Sequence, residues 1–400
     1  MGATGNFFAK KKKWSIIKDD ILAWYLTPYI SKILSTRKPL ILVDCFAGKG
    51  KFDDGSDGSP LIIARKIKEV LELGRYSQIK GVFIEKKYGR NLKANLNGFT
   101  NCMVVDGTFE ESFEDIILPN KNSNAFIYID PYGIKSLDFN RFNKLKNCGF
   151  NTYEMLMNFN TFGFLREGCR LLKYNYQIEC PDCSDEDEEF YENEDLDNNN
   201  GINLLNTIAD GNYWQSILEG YQSKKYSMYV AEELFVDEYL KRLKSKKIFK
   251  YTTNIPVTLK TKNIPKYRLI FGTNHYQGLI LMCNNMNKQW KHIVDEQRNG
   301  QMVLFEYDYP DRDIIKDFDI QKGVICLLES HSSMNLEDLY CKLIEQFGIA
   351  YSESEYAAII KSMGNEQKIN ISRVPSTTPT GKPATSFDYT KYKIGVKLNK

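Results

Sequence analysis

A doubly wound α/β fold with a mostly parallel, seven-stranded sheet is predicted by three features of the sequence. Apolar runs of strand length alternate with helical patterns through five units. The first four of those runs each end in an acid, Asp44, Glu85, Asp106 and Asp130. Two later extended segments then follow one another with no room for a helix between them. The length, 400 residues, suits two domains or one large domain with additions.

Residues 1–38 read as an N-terminal helical segment. Ile17, Ile21, Trp24, Tyr25, Tyr29 and Ile33 recur at three- and four-residue steps, and Pro28 is expected to kink or divide the helix. Its bland role is packing on the sheet; a functional one has Trp14 and Lys18 lining a cofactor entrance. Leu40-Ile41-Leu42-Val43-Asp44 is the first buried strand and leaves directly into Cys45-Phe46-Ala47-Gly48-Lys49-Gly50. Glycines suit that loop because a Cβ would block close approach of backbone to a ligand. Lys51–Gly58 is irregular, and Ser59-Pro60 reads as an N-cap and first helical residue.

Strands two to four are Gly81–Glu85, Cys102–Asp106 and Ala125–Asp130, and Thr152–Asn158 is a fifth. The acidic run Asp182–Asp197 holds ten acids and no Lys or Arg; it reads as a disordered surface insertion spanning 179–201. Setting those ten charges aside from the net +3 leaves +13 on the rest of the chain, a body that can attract a polyanion. A helix from about Met228 to Leu243 is followed by Ile248–Leu259, broken by Pro256, and Tyr267–Phe271. As a hairpin, these two would close the sheet with one antiparallel strand. That feature separates a class I methyltransferase sheet from other Rossmann-like, dinucleotide-binding ones. Gln277–Trp290 is a further helix, placing the sheet domain at 39–318.

Residues 319–400 have the pattern helix, helix, strand, long Pro/Thr/Gly-rich loop, strand, which predicts a winged-helix-like module. Such modules bind DNA or RNA, or serve as protein docking units. Nine cysteines include one close pair, Cys180 and Cys183, with Cys169 as a conceivable third ligand. Three histidines, none near that pair, leave reduced thiols as the expected state and no metal site. No apolar run is long enough to span a bilayer, so a cytoplasmic protein is expected.

The acids carry the chemistry. S-adenosylmethionine has an ammonium, a ribose diol and an adenine amine, and Asp44, Glu85 and Asp106 at successive strand ends match these in turn. Phe46, Ala47, Gly48 and Gly50 would line the loop, with Gly107 leaving room beside the adenine. Any one acid is equally accounted for as a helix N-cap; three in this order are not. Asp130-Pro131-Tyr132-Gly133 lies where a transferring methyl group would point. There an acid can hold a target NH₂, proline can fix the backbone, and an aromatic can stack on a base. Asn158 would add a polar contact. The plain alternative is a turn after a strand.

The segments Asp44–Gly50, Gly58-Ser59-Pro60, Phe83-Ile84-Glu85, Asp130–Gly133 and Leu269–His275 together resemble the three-Cys-motif partner (TcmP) family. The resemblance implies a methyltransferase-like fold and pairing with a separate iron–sulfur, radical-type protein that bears three cysteines. Those cysteines are the partner's, not Cys169, Cys180 and Cys183. The tetrapeptide is also similar to the Asp-Pro-Phe-Gly of tRNA guanine-N2 methyltransferases, and it lacks the second proline of adenine-N6 enzymes. The leading expectation is therefore an S-adenosylmethionine-dependent methyltransferase acting on an exocyclic amine of a nucleic-acid base. The other class is a catalytically silent adaptor of the same fold that binds a nucleotide and docks the partner.

Overall fold

A computed structural model describes residues 9–74, 78–176, 198–258, 265–297 and 315–399; most of the acidic stretch, with Cys180 and Cys183, lies outside them. The chain divides into two compact units, one running to Asn274 and the other starting at His275.

In the first unit α1 (Lys13–Ile33) precedes β1 (Leu40–Asp44), α2 (Ser59–Glu72), β2 (Ile79–Glu85), α3 (Gly89–Asn95) and β3 (Cys102–Asp106). Then come α4 (Phe109–Ser112), which runs on into a π-helical turn, β4 (Asn124–Ile129), α5 (Phe139–Leu145), β5 (Thr152–Phe159) and α6 (Thr161–Leu172). The unit ends with α7 (Asn198–Ala209), α8 (Tyr213–Gln222), α9 (Met228–Ser245), β6 (Tyr251–Thr258) and β7 (Pro265–Thr273). The sheet order is β3-β2-β1-β4-β5-β7-β6, with β7 antiparallel to both neighbours. That is the strand order of the class I methyltransferase sheet, and the hairpin expected from sequence supplies its antiparallel member. Pro256, which cannot donate to a ladder, is tolerated because β6 is the edge strand.

Both faces of the sheet are covered, which is why β1 is buried at all five positions. Ile41, Val43, Ile127 and Ile129 pack with Phe109, Phe113, Phe142 and Phe164 on one side. On the other, Tyr25 and Tyr29 of α1 lie 5.7 and 5.4 Å from the ring of Phe126. Tyr25 donates to Glu154 on β5 (2.6 Å), as does Thr273 on β7 (2.8 Å), so α1 is bonded to the middle of the sheet. Burial pushes the Glu154 carboxyl up to about 7, against these two hydrogen bonds.

Several expectations need correction. Pro28 does not divide α1, which is one 21-residue helix. The N-cap of α2 is Gly58, one residue earlier than read, with Ser59 already helical. Asn198–Gly201 belongs to the first turn of α7, not to the acidic insertion. Gly201 lies against Leu171, where a Cβ would come within 2.6 Å of its Cδ2, so packing rather than propensity forms that turn. Neither α7 nor α8 was expected; Trp214 of α8 is fully buried and its indole N–H donates to Asn206 of α7 (2.9 Å).

The second unit contains α10 (Tyr276–Gln297), α11 (Asp317–His331), β8 (Ser333–Asn335), α12 (Leu336–Phe347), α13 (Glu353–Asn365), β9 (Ile369–Val374) and β10 (Lys393–Leu398). Its antiparallel sheet has the order β8-β10-β9. Helix α10, assigned to the sheet domain by the boundary at 318/319, falls in this unit instead. Asn287 of α10 donates to the carbonyls of Ile349 and Ala350 between α12 and α13 (2.8 and 3.1 Å). Among the described residues no helix is long and apolar enough to cross a membrane.

Candidate active site

Parallel strands bring their carboxyl ends to one edge, and the order reverses between β1 and β4, where open α/β sheets bind ligands. The glycine loop leaves β1 there. Cys45 N–H donates to Tyr128 O (2.9 Å) and Ala47 N–H to Ile84 O (3.0 Å), extending the ladder into the loop. Gly48 and Gly50 then take φ of 61° and 81°, a region that side chains rarely adopt. A Cβ on Gly50 would also come within 2.8 Å of Leu92 on α3. Gly58 N–H returns to Gly50 O (2.9 Å), so 51–57 is a closed excursion before α2. Phe46 packs its half-buried ring on Phe109, 5.3 Å away.

Asp44 is fully buried. Its Oδ1 accepts from Phe46 N–H (3.3 Å), while Oδ2 has no hydrogen-bond partner. Burial pushes the carboxyl up to about 7, opposed by the Ser59 hydroxyl and the Phe46 N–H and reinforced by Asp130 and Asp19. An orphaned, buried carboxylate oxygen is what a cationic N–H donor would satisfy, so this residue fits the ammonium of S-adenosylmethionine.

Glu85 is also an anchor of the glycine loop. Its carboxylate accepts from Gly48 N–H (2.7 Å), Lys87 N–H (2.7 Å) and Tyr88 N–H (3.0 Å). It locks the glycine loop onto β2, and a ribose would have to share a carboxylate already holding three donors. Asp106 sits opposite Glu85 in register, is more than half exposed, and pairs with Lys93. Gly107 N–H donates to Glu85 O (3.3 Å), and a Cβ on Gly89 would lie 2.0 Å from Asp106 Oδ1. Thus Gly89, absent from the sequence reading, makes the space that Asp106 occupies.

Three residues expected separately form one cluster. Lys18 Nζ donates to both oxygens of Asp130 (2.8 and 2.7 Å), and Asn158 Nδ2 donates to Asp130 Oδ1 (2.7 Å). Asn158 Oδ1 is buried with no hydrogen-bond partner, a second such acceptor at the carboxyl ends of the strands after Asp44 Oδ2. Lys18 also lies 5.3 Å over the ring of Tyr267. The Tyr128 hydroxyl donates more distantly to Asp130 Oδ2 (3.4 Å). Beside Lys18, Asp19 is buried and pairs with Lys11 at 2.6 Å; burial pushes it up to about 6, against the two lysines. Tyr128 was legible in principle, since it lies two residues before Asp130 and so on the same face. Asp19 and Tyr267 carried no such signal.

Tyr132 presents 44% of its surface to solvent. Its phenol is nevertheless pushed above the usual range, first by lost solvent at the hydroxyl and then by the field of Glu85. Pro131 has no N–H to donate, and Gly133 has open space where a Cβ would stand. Trp14 holds the Lys12 ammonium 5.8 Å over its ring at the start of α1. Cys169 is buried in α6, and burial pushes its thiol up to about 11.

No protein-family model and no curated protein matches the chain. Among solved structures it is similar to yhhF, a methyltransferase-like protein of Escherichia coli (17% identity, 33% of this chain and 64% of that one, TM-score 0.22). It is also similar to the plantazolicin methyltransferase BamL (12% identity, 66% and 85%, TM-score 0.28). A third is a dimethyladenosine transferase of Plasmodium falciparum (11% identity, 88% and 96%, TM-score 0.26). The strand order, direction and register of the sheet carry the methyltransferase-type fold.

Proposed function

We propose that the chain is an S-adenosylmethionine-dependent methyltransferase whose acceptor is an exocyclic amine of a nucleic-acid base. The observation that carries this reading is the pair of buried, unpartnered acceptors, Asp44 Oδ2 and Asn158 Oδ1, at one edge of a methyltransferase-type sheet. A site that keeps acceptors open is built for N–H donors.

When bound, S-adenosylmethionine supplies an electrophilic methyl group. The chain's own residues then position and polarise. Asp44 takes the ammonium, and Glu85, having closed the glycine loop, presents what remains of its acceptor capacity to the ribose. Asp106 and Gly107 form the adenine side. Asp130 and Asn158 accept the hydrogens of the amine, which favours a pyramidal nitrogen and stabilises the positive charge that builds there. That stabilisation is larger at the transition state than before it and so appears in turnover. Pro131 fixes the turn, and the exposed ring of Tyr132 stacks on the base. Residues 319–400 act as a winged-helix module that engages substrate or partner. The TcmP resemblance adds a three-cysteine iron–sulfur protein as that partner.

One observation favours the adaptor as a second reading. Lys18 occupies both oxygens of Asp130, and a silent protein would keep that pair closed. Incubation of the full chain with labelled S-adenosylmethionine and bulk tRNA, rRNA or DNA separates the two. Base-linked label is expected; cofactor binding without label in any nucleic acid would leave the adaptor.

A further inference from the structure

The helices of the second unit and its hairpin carry opposite charge. Residues 316–366, which include α11, α12 and α13, hold nine acids against four Lys or Arg; residues 367–399, the hairpin, hold six Lys or Arg against one Asp. The acids of the helices gather at their N-termini: Asp317 and Asp319, Glu337 and Asp338, Glu353 and Glu355. They complement the helix dipoles and thereby remove the positive ends that would otherwise attract phosphate.

Helix α13 is disqualified as a groove-reading helix on a second ground. Its first turn is covered by α10: Asn284 Oδ1 accepts from Glu353 N–H (2.7 Å), Asn284 Nδ2 donates to Glu353 (3.1 Å), and Lys291 pairs with Glu355 (2.6 Å). A recognition helix offers its N-terminal residues to base edges, and here they are acidic and already engaged.

The outer face of the small sheet is the opposite case. Register places Lys393 beside Val374, Gly395 beside Ser372 and Asn335, and Lys397 beside Asn370 and Ser333. These residues share one face because side chains alternate along a strand, and the face contains no carboxylate. Lys393 and Lys397 are exposed, and so is Lys382 in the connecting loop. The base of that loop is braced: Arg373 donates to the carbonyls of Ser386 (2.8 Å) and Thr385 (3.2 Å) and lies 5.2 Å over the Phe387 ring.

We propose that the β9–β10 hairpin, and not α13, is the surface through which the second unit binds a phosphodiester backbone, with Lys382, Lys393 and Lys397 as the phosphate contacts. This rests on the reading that the acceptor is a nucleic acid. Phosphate contacts position a substrate without reading its sequence, which matches a module that delivers nucleic acid to chemistry performed elsewhere in the chain.

The test is fluorescence anisotropy of the full chain with labelled duplex DNA, duplex RNA and single-stranded RNA across a salt series. Each phosphate contact contributes about 0.7–0.9 to the slope of log affinity against log salt. The triple variant Lys382→Ala/Lys393→Ala/Lys397→Ala is therefore expected to lower that slope by about two to three and to bind at least about tenfold more weakly. Lys361→Ala on α13 is expected to change neither, and unchanged thermal midpoints show that both variants fold. Wild-type binding with a slope that the triple variant leaves intact would overturn the hairpin assignment while sparing the nucleic-acid reading. Wild-type failure to bind any of the three probes would overturn both.

Discussion

Two polar clusters lie in the same sheet domain and are built on opposite principles. In one, Glu232 of α9 accepts from Arg268 Nε and Nη2 (2.8 and 2.6 Å) and from the Thr161 hydroxyl (2.5 Å), while Arg268 Nη1 donates to Asn254 (3.0 Å). Arg268 is 2% exposed and Glu232 not at all. Glu232 and the Arg268 guanidinium satisfy one another there, and the network holds α6 and α9 against β7. In the other, at the carboxyl edge, Asp44 Oδ2 and Asn158 Oδ1 are as deeply buried and have none. A saturated network contributes architecture. An unsaturated one carries a cost that a bound donor would remove, and its place at the carboxyl edge of the sheet is why we propose the edge cluster as the binding site.

The largest effect is expected from breaking the saturated cluster. Glu232→Ala leaves a buried guanidinium unpaired and should cost about 3–5 kcal/mol in denaturant unfolding. Replacing both partners, Glu232→Leu with Arg268→Met, should recover most of that loss, because neither buried charge is then left unpaired. A double variant as unstable as the single one would show that the cluster does more than hold helices.

The edge cluster should respond in turnover. Asp130→Ala strands the buried Lys18, so Asp130→Asn is the readable variant, keeping shape and losing charge. Single-turnover transfer with saturating cofactor is expected to fall about ten- to hundredfold, with cofactor affinity unchanged. Turnover equal to wild type would reduce Asp-Pro-Tyr-Gly to a turn.

Asp44→Asn should act in two directions. The folded carboxyl is raised to about 7 from 3.8, so wild-type stability is fully present at low pH and is lost as pH rises toward 7. The variant should therefore be more stable than wild type at pH 8, by an amount on the order of a few kcal/mol, with the gap closing toward pH 4. Thermal unfolding across that range reads it. At the small end, Asp106→Ala removes an exposed pair with Lys93 and should change stability by less than about 1 kcal/mol.

Much of this contrast could be read along the chain, and the rest could not, for physical reasons. The parallel strands were legible because burial on both faces makes them continuous apolar runs, and their terminal acids stand out against those runs. The antiparallel hairpin was legible because too few residues separate β6 from β7 for a helix. Lys18, Asp130 and Asn158 could be named singly, but their convergence across 112 and 28 residues needs the folded sheet. The engagement of Glu85 by three backbone donors was invisible, since main-chain N–H groups leave no mark in sequence. Helix α7 was missed because its Asn-rich start resembles loop, and α8 because it follows the turn-like Asp210-Gly211-Asn212; Leu171 and Trp214 hold them through packing contacts. Helix α10 reads as any amphipathic helix, and its bonds to the α12–α13 loop and to the first turn of α13 assign it to the second unit.

The most direct measurement is a calorimetric titration of S-adenosylmethionine into the full chain between pH 6 and pH 9, with Asp44→Asn in parallel. An ammonium needs the ionised carboxylate, so wild-type affinity should be flat above about 7 and fall by up to about tenfold per pH unit below it. Asp44→Asn should bind about ten- to a hundredfold more weakly at pH 8 and show no such fall. Absence of binding by the wild-type chain, or the same pH profile in both proteins, would contradict the assignment of the open acceptors to the cofactor.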